Sequence, residues 1–204
     1  MNLFQKSLLG IFKFLFPFDV YGKENMPDDG VVCVCNHFSF CDSAYIRYVY
    51  QDDLYFLGKK ELFKNKFFAW LLKSYGGIPI DREKPDIKSL FTATKVLKDG
   101  HKLMIFPEGT RNKTGTTELQ SIKGGSAVFA VKAKKGVVPI MIKEKARLFR
   151  RNAIIIGKPF YLDEYYGQKL TPDVVDKMDD LVRTKMIEQQ TSLFELTAKK
   201  KKVK

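Results

Sequence analysis

Val31-Val-Cys-Val-Cys35 is five apolar residues in a row, with no polar position to turn toward water. A strand of that composition suits burial on both faces, as in a parallel sheet covered by helices. Short apolar runs recur at Leu54–Leu57, Gly77–Ile80, Lys102–Phe106, Val137–Ile142 and Ala153–Ile156, and Val20–Met26 reads as a short strand and turn closed by Pro27 and Gly30. Helix-length stretches lie between them at Ser43–Tyr50, Lys60–Ser74, Ile87–Leu97 and Ser121–Lys134. A last helix is signalled by Thr171 as its cap, Pro172 in its first turn and Asp173 and Asp176 early.

Strands alternating with helices predict an α/β fold, a single domain whose mixed, largely parallel sheet is flanked by helices. The chain has 204 residues, 45% of them apolar, enough for one full-sized core but cramped for two. The expected division is an N-terminal segment 1–18, a body 19–198 and a Lys-rich tail 199–204, the tail being solvated and disordered.

Ligand sites in such folds gather where loops leave the carboxyl ends of strands. Three polar clusters fall there. The first is Asn36-His-Phe-Ser-Phe-Cys-Asp42, directly after the buried run. On one continuous helix, His37 and Asp42 would diverge by about 140°. A strand–turn–helix junction lets them meet, and a carboxylate on one ring nitrogen fixes the tautomer and frees the other as a general base. The second cluster is Phe106-Pro-Glu-Gly-Thr-Arg111. Gly109 allows close backbone approach, Thr110 offers a hydroxyl, and Arg111 a fork for phosphate. The third, Gly76-Gly-Ile-Pro-Ile-Asp-Arg82, puts Arg82 just past another strand.

Charge narrows the partner. The net charge is +13, and it is clustered. Lys59, Lys60, Lys64, Lys66 and Lys73 face only Glu61 in 58–75; Lys132, Lys134, Lys135, Lys143, Lys145, Arg147, Arg150 and Arg151 face only Glu144 in 132–151; five more lysines close the chain. The remainder is slightly acidic. Such charge fits nucleic acid as well as an anionic membrane. However, the 17 Phe residues gather in amphipathic stretches rather than interleaving with cations as base-stacking aromatics do. The expected partner is therefore an anionic membrane surface and not nucleic acid.

The N-terminal stretch 3–18 carries ten apolar residues, with Lys6 and Lys13 on one helical face. Its length of about 24 Å as a helix falls short of a ~30 Å hydrocarbon core. Lys13 splits the apolar run, which argues against a signal peptide. The reading is an amphipathic helix lying in the membrane interface. The three cysteines, Cys33, Cys35 and Cys41, are odd in number and too few for a disulfide framework. Cys-x-Cys-x-His lacks zinc-ribbon spacing, so no metal is expected.

Together, Asn36-His-x-x-x-x-Asp42 and Phe106-Pro-Glu-Gly-Thr-Arg111 resemble the glycerolipid acyltransferase family. Gly77-Ile-Pro-Ile-Asp-Arg82 is similar to that family's second block and Val138-Pro-Ile140 to its fourth, in the same order. The resemblance covers about residues 20–160. Asn112 departs from it, where the family often has Ser. The resemblance implies an enzyme of phospholipid synthesis at the cytoplasmic face of the cell membrane, peripheral or monotopic. It would transfer a fatty acyl group from acyl-CoA or acyl-carrier protein to the free sn-2 hydroxyl of lysophosphatidic acid, giving phosphatidic acid. Other lysolipids and glycerol 3-phosphate are alternative acceptors.

In this reading His37 is the general base and Asp42 its orienting partner. Arg82, Glu108, Gly109, Thr110 and Arg111 hold the phosphate. Glu108 cannot do so by charge and is expected to orient a hydroxyl or an Arg. No cofactor is implied beyond the acyl thioester. A covalent route through Cys41 or Ser39 is the lesser chemistry, since neither carries a mark of activation.

Overall fold

A computed structural model describes residues 3–50, 53–81, 87–122 and 125–202. The elements run α1 (Leu3–Leu15), β1 (Phe18–Tyr21), β2 (Val31–Cys35), α2 (Cys41–Tyr50), β3 (Leu54–Lys59), α3 (Lys66–Ser74), β4 (Gly77–Ile80), α4 (Ile87–Lys98), β5 (Lys102–Ile105), α5 (Ser126–Ala133), β6 (Gly136–Ile142), β7 (Asn152–Ile156) and α6 (Pro172–Lys202). The seven strands form one sheet in the order β1-β7-β6-β2-β5-β3-β4. Neighbours are parallel except β6 and β7, so β7 and β1 run against the other five. The α/β class and the mixed, largely parallel sheet expected from the sequence are what the chain adopts.

β2 is the middle strand, fully buried along its length, and its side chains divide the core in two. Val32 and Val34 face a layer that includes Ala93 and Leu97 of α4, Ala127 and Ala130 of α5, and Met178, Val182 and Met186 of α6. Val31, Cys33 and Cys35 face the opposite layer, with Tyr45 and Ile46 of α2 and Phe12 of α1. This two-sided covering is why the run carries no polar residue. Burial lifts the Cys33 thiol to about 12 and the Cys35 thiol well above its ordinary range, so both are inert core residues.

Several boundaries differ from the sequence reading, each for a local reason. The first helix stops at Leu15 because Pro17 follows. The strand read as Val20–Met26 is Phe18–Tyr21, ended by Gly22 at φ 68°. Lys60–Ser74 is a 3₁₀ turn and then α3, which Asn65 caps by accepting from the amides of Phe67 and Phe68. The helix read from Ser121 begins only at Ser126, after Gly125 at φ 115°. The tail read as disordered from 199 instead continues α6 to Lys202, with Lys200 paired to Asp19 at 2.9 Å. Lysines suit a helix C-terminus, where the backbone dipole is negative. Among the described residues, no helix is long and apolar enough to cross a membrane.

Asp179 lies buried on α6, and its Oδ1 finds no hydrogen-bond partner among the described residues. Burial, joined by Asp176 and Asp180 and opposed by the Gly125 amide, pushes its carboxyl up to about 6. The folded state thus holds the proton more tightly than the unfolded chain. The sign is therefore a stability that declines as pH rises from about 4 to about 6. Asp179→Asn is expected to flatten that decline and to stabilise the protein by about 1–3 kcal/mol at pH 7. Thermal unfolding across pH 4–7 checks it; a steeper decline in the variant would show the wrong sign.

Candidate active site

The pairing of β2 with β5 sets Val34 opposite Ile105, so the segments that follow both strands emerge side by side. One carries Asn36 to Asp42, the other Phe106 to Arg111. β2 and β5 are adjacent, yet the chain leaves β2 for β3 on one side and returns after β5 to β6 on the other. That reversal opens a crevice at the carboxyl ends of the strands.

Asn36 anchors the turn. Its side-chain amide donates to the Ile142 carbonyl at 2.9 Å and its Oδ1 accepts from the Ile142 amide at 2.8 Å, which ties the end of β2 to the end of β6. The chain then reverses, and α2 begins at Cys41. Asp42, in the first turn of α2 and fully buried, points back into the reversal. Its Oδ2 accepts from the amides of Phe38 (2.6 Å) and Ser39 (2.7 Å) and lies 2.9 Å from His37 Nδ1, while Oδ1 accepts from the Ser39 hydroxyl at 3.0 Å. An oxygen already serving two N–H donors meets Nδ1 as an acceptor, so Nδ1 carries a ring proton and Nε2 is the ring nitrogen that Asp42 does not engage. The His37 ring stacks on Phe106 with centroids 3.9 Å apart and planes 17° apart. Its side chain is 16% exposed, which leaves the ring reachable.

The second segment holds the first by its backbone. Glu108 is 1% exposed; Oε1 accepts from the His37 amide at 2.7 Å and Oε2 from the Gln120 amide at 3.2 Å. Burial raises its carboxyl above the ordinary range, and the two backbone N–H groups oppose that rise. The Asn112 amide donates to the His37 carbonyl at 2.6 Å, and its side chain donates to the Glu118 carbonyl at 2.9 Å. Gly109 sits at φ 69°, in a turn closed by its amide on the Phe106 carbonyl at 3.0 Å. The Arg111 guanidinium lies over the Phe40 ring, 3.6 Å from its centroid, and Thr110 is exposed beside it.

The structure thus brings together His37, Asp42, Glu108, Gly109, Thr110 and Arg111. Arg82 lies outside the described residues. Glu108 faces inward, onto the backbone amides of His37 and Gln120, and among the described residues not toward an Arg or an outside hydroxyl. Three contributors were not legible beforehand: Ser39 as a further donor to Asp42, Phe106 as the stacking partner of His37, and Asn112 as a backbone clamp. Only Asn112 had a signal, its departure from the family's usual Ser. Burial raises the Cys41 thiol, which weighs against a thiolate there.

A second His–Asp pair gives a useful contrast. His101 and Asp53 are also 2.9 Å apart, but their side chains are 41% and 38% exposed, and Asp53 is shared with Lys102. The pair lies at the amino ends of β5 and β3, the end of the sheet opposite the crevice. Distance alone does not mark a site; burial of the carboxylate and position at the carboxyl ends do.

Beside the crevice runs a cavity of about 790 Å³ between α1, α2 and α3. Leu9, Phe12, Phe56, Phe68 and Leu72 are among its apolar walls, and Phe40 and Ser43 bring it to the turn that holds His37.

The sequence family described as Acyltransferase matches residues 17–143. A 1-acyl-sn-glycerol-3-phosphate acyltransferase of Bacillus subtilis is 34% identical over 153 residues, 72% of this chain and 75% of that protein. One from Streptococcus pneumoniae is 32% identical over 115 residues, 55% of this chain and 41% of its own length. The crystal structure of the 1-acyl-sn-glycerophosphate acyltransferase PlsC from Thermotoga maritima superposes with a TM-score of 0.66 at 25% identity, covering 91% of this chain and 78% of that one.

Proposed function

The chain belongs to the acyltransferase family, and from that premise we propose that it acylates the sn-2 hydroxyl of lysophosphatidic acid to give phosphatidic acid. The observation that carries the reading is the buried Asp42 holding a reachable His37 through Nδ1, beside an apolar cavity. His37 Nε2 takes the proton of the acceptor hydroxyl as its oxygen attacks the thioester carbonyl. That attack forms the new C–O bond of a tetrahedral intermediate, which collapses by re-forming the carbonyl and breaking the C–S bond. The departing thiolate receives the proton from His37. The acceptor is itself the nucleophile, so no acyl-enzyme is required. Acyl-CoA and acyl-carrier protein both satisfy this scheme.

Arg111, with Thr110 and Gly109, is assigned to the acceptor phosphate in this proposal, and Arg82 joins it; support comes from the Arg111 guanidinium on Phe40, in the turn that holds His37. Arg111→Ala is expected to raise KM for lysophosphatidic acid about 10–100-fold with a smaller change in kcat, the loss of one charge-assisted contact. An unchanged KM would remove Arg111 from the phosphate site. The cavity between α1, α2 and α3 has the apolar lining to take an acyl chain.

The docking surface belongs to the same proposal. Leu3, Phe4, Ile11 and Phe14 of α1 and Phe67, Phe68 and Trp70 of α3 are all more than half exposed, with Lys6, Lys64, Lys66 and Lys73 nearby in sequence. Such faces suit the interface of an anionic membrane, here its cytoplasmic side. Removal of residues 1–15, which spares β1, is expected to cut sedimentation with phosphatidylglycerol vesicles at least about tenfold. Undiminished sedimentation would refute docking through α1.

The deciding experiment for the reaction is a radiolabelled acyl-transfer panel. It crosses acyl-CoA and acyl-carrier protein with lysophosphatidic acid, glycerol 3-phosphate and other lysolipids. Preferred labelling of a product other than phosphatidic acid would reassign the acceptor.

A further inference from the structure

β6 and β7 are joined by a basic loop, 143–151, whose turn runs from Arg147 to Arg150, closed by the Arg150 amide on the Arg147 carbonyl at 3.1 Å. The two central residues are Leu148 and Phe149, and they are 55% and 61% exposed. Phe149 adopts φ 55°. That conformation at the third position of a turn belongs to Gly or Asn, and a bulky aromatic there is strained. Strain of this kind persists where the side chain has a use, and burial in the fold is not the use here.

The loop is fixed in place. The Phe149 amide donates to the Leu15 carbonyl at the end of α1 (2.7 Å), and the Asn152 amide donates to the Pro17 carbonyl (2.8 Å). The Phe149 ring meets that of Phe14 edge-on, with centroids 6.1 Å apart, and Phe14 is itself 74% exposed. Leu148 and Phe149 therefore extend the exposed apolar row of α1 by one more element. Lys145, Arg147, Arg150 and Arg151 surround the pair, all exposed, Arg151 being bonded to Asp19.

We propose that Leu148 and Phe149 form a membrane-inserting finger, a lipid-contacting element beside α1, whose flanking arginines engage anionic headgroups. The proposal rests on the docking reading of α1 and α3 and adds to it a site at the C-terminal end of α1. Two apolar side chains at the tip with cations behind them match the layering of an anionic bilayer, hydrocarbon beneath phosphate. The strained backbone holds the ring at the tip, where a relaxed turn residue would leave nothing to insert.

The test places a single tryptophan at the tip, Phe149→Trp combined with Trp70→Phe. The probe is vesicles of phosphatidylglycerol and phosphatidylcholine, with and without brominated acyl chains. The expected result is a blue-shifted emission on vesicle addition and quenching by the brominated lipid. In parallel, Leu148→Ser with Phe149→Gly keeps the amide that binds Leu15 and relieves the strained φ. This variant is expected to keep its melting temperature while vesicle partitioning falls about tenfold or more. Partitioning within about twofold of the parent protein would overturn the finger. So would an unshifted, unquenched emission from a protein that still sediments with vesicles, though docking through α1 and α3 would then stand. Failure of the parent protein to bind vesicles would remove the docking reading and the finger together. An emission change on adding acidic acyl-carrier protein, with none from vesicles, would assign the loop to that protein and overturn the membrane proposal.

Discussion

His37→Ala is expected to lower kcat by about 10³-fold or more while leaving the fold intact, because loss of a general base typically removes about 10²–10⁴ and no other group among the described residues shares its position. The side chain is partly exposed, and its backbone contacts to Glu108 and Asn112 survive the change. Melting temperature should therefore move little. Asp42→Asn is the informative companion. The amide can still accept from Phe38, Ser39 or His37, but it presents an NH₂ to one side of a pocket lined by donors. Activity should fall through the wrong ring tautomer, and stability should fall as well. Steady-state kinetics beside calorimetry separates the two effects. Substantial turnover by His37→Ala would exclude the general-base role.

Glu108→Ala is expected to cost about 2–5 kcal/mol of stability, since it strands two backbone amides that the carboxylate now satisfies. The amide of His37 is one of them, so the loop bearing the base should loosen. A drop in kcat with little change in KM for the acceptor is the signature of that positioning role. A phosphate-contact role would instead raise KM and spare stability. Denaturant unfolding together with kinetics distinguishes them, and a stable variant with only a raised KM would reverse the assignment.

The fold was legible because each buried strand announces itself. Val31–Cys35 needs two covering layers, and it has them in α4, α5 and α6 on one side and α1 and α2 on the other. Two of the three polar clusters read after strands, those following β2 and β5, meet in the structure, because ligand chemistry gathers at carboxyl ends; Arg82 of the third lies outside the described residues. Partner choice inside those clusters was not legible. Glu108 reads as a site residue that orients a hydroxyl or an Arg, yet it is a buried clamp, because the β2–β5 pairing brings His37 onto it across 71 residues of chain. No local pattern encodes such a contact. The same holds for Phe149, which looks like one more hydrophobe in a basic stretch until its positive φ and its tie to Leu15 are seen.

The charge distribution and the Phe content, read from the sequence, are the basis of the proposed partner, an anionic surface with an apolar layer. Strand composition determines the layered α/β architecture. Residue type at the strand ends determines that a His, an Asp and an Arg are available for chemistry. Only the tertiary structure decides which of these act together. Whether Asp42 orients His37, or merely lies near it as Asp53 lies near His101, depends on desolvation. Whether Arg111 can meet the base depends on strand order. Both are properties of packing between segments far apart in the chain, and periodicity along the chain carries no information about them.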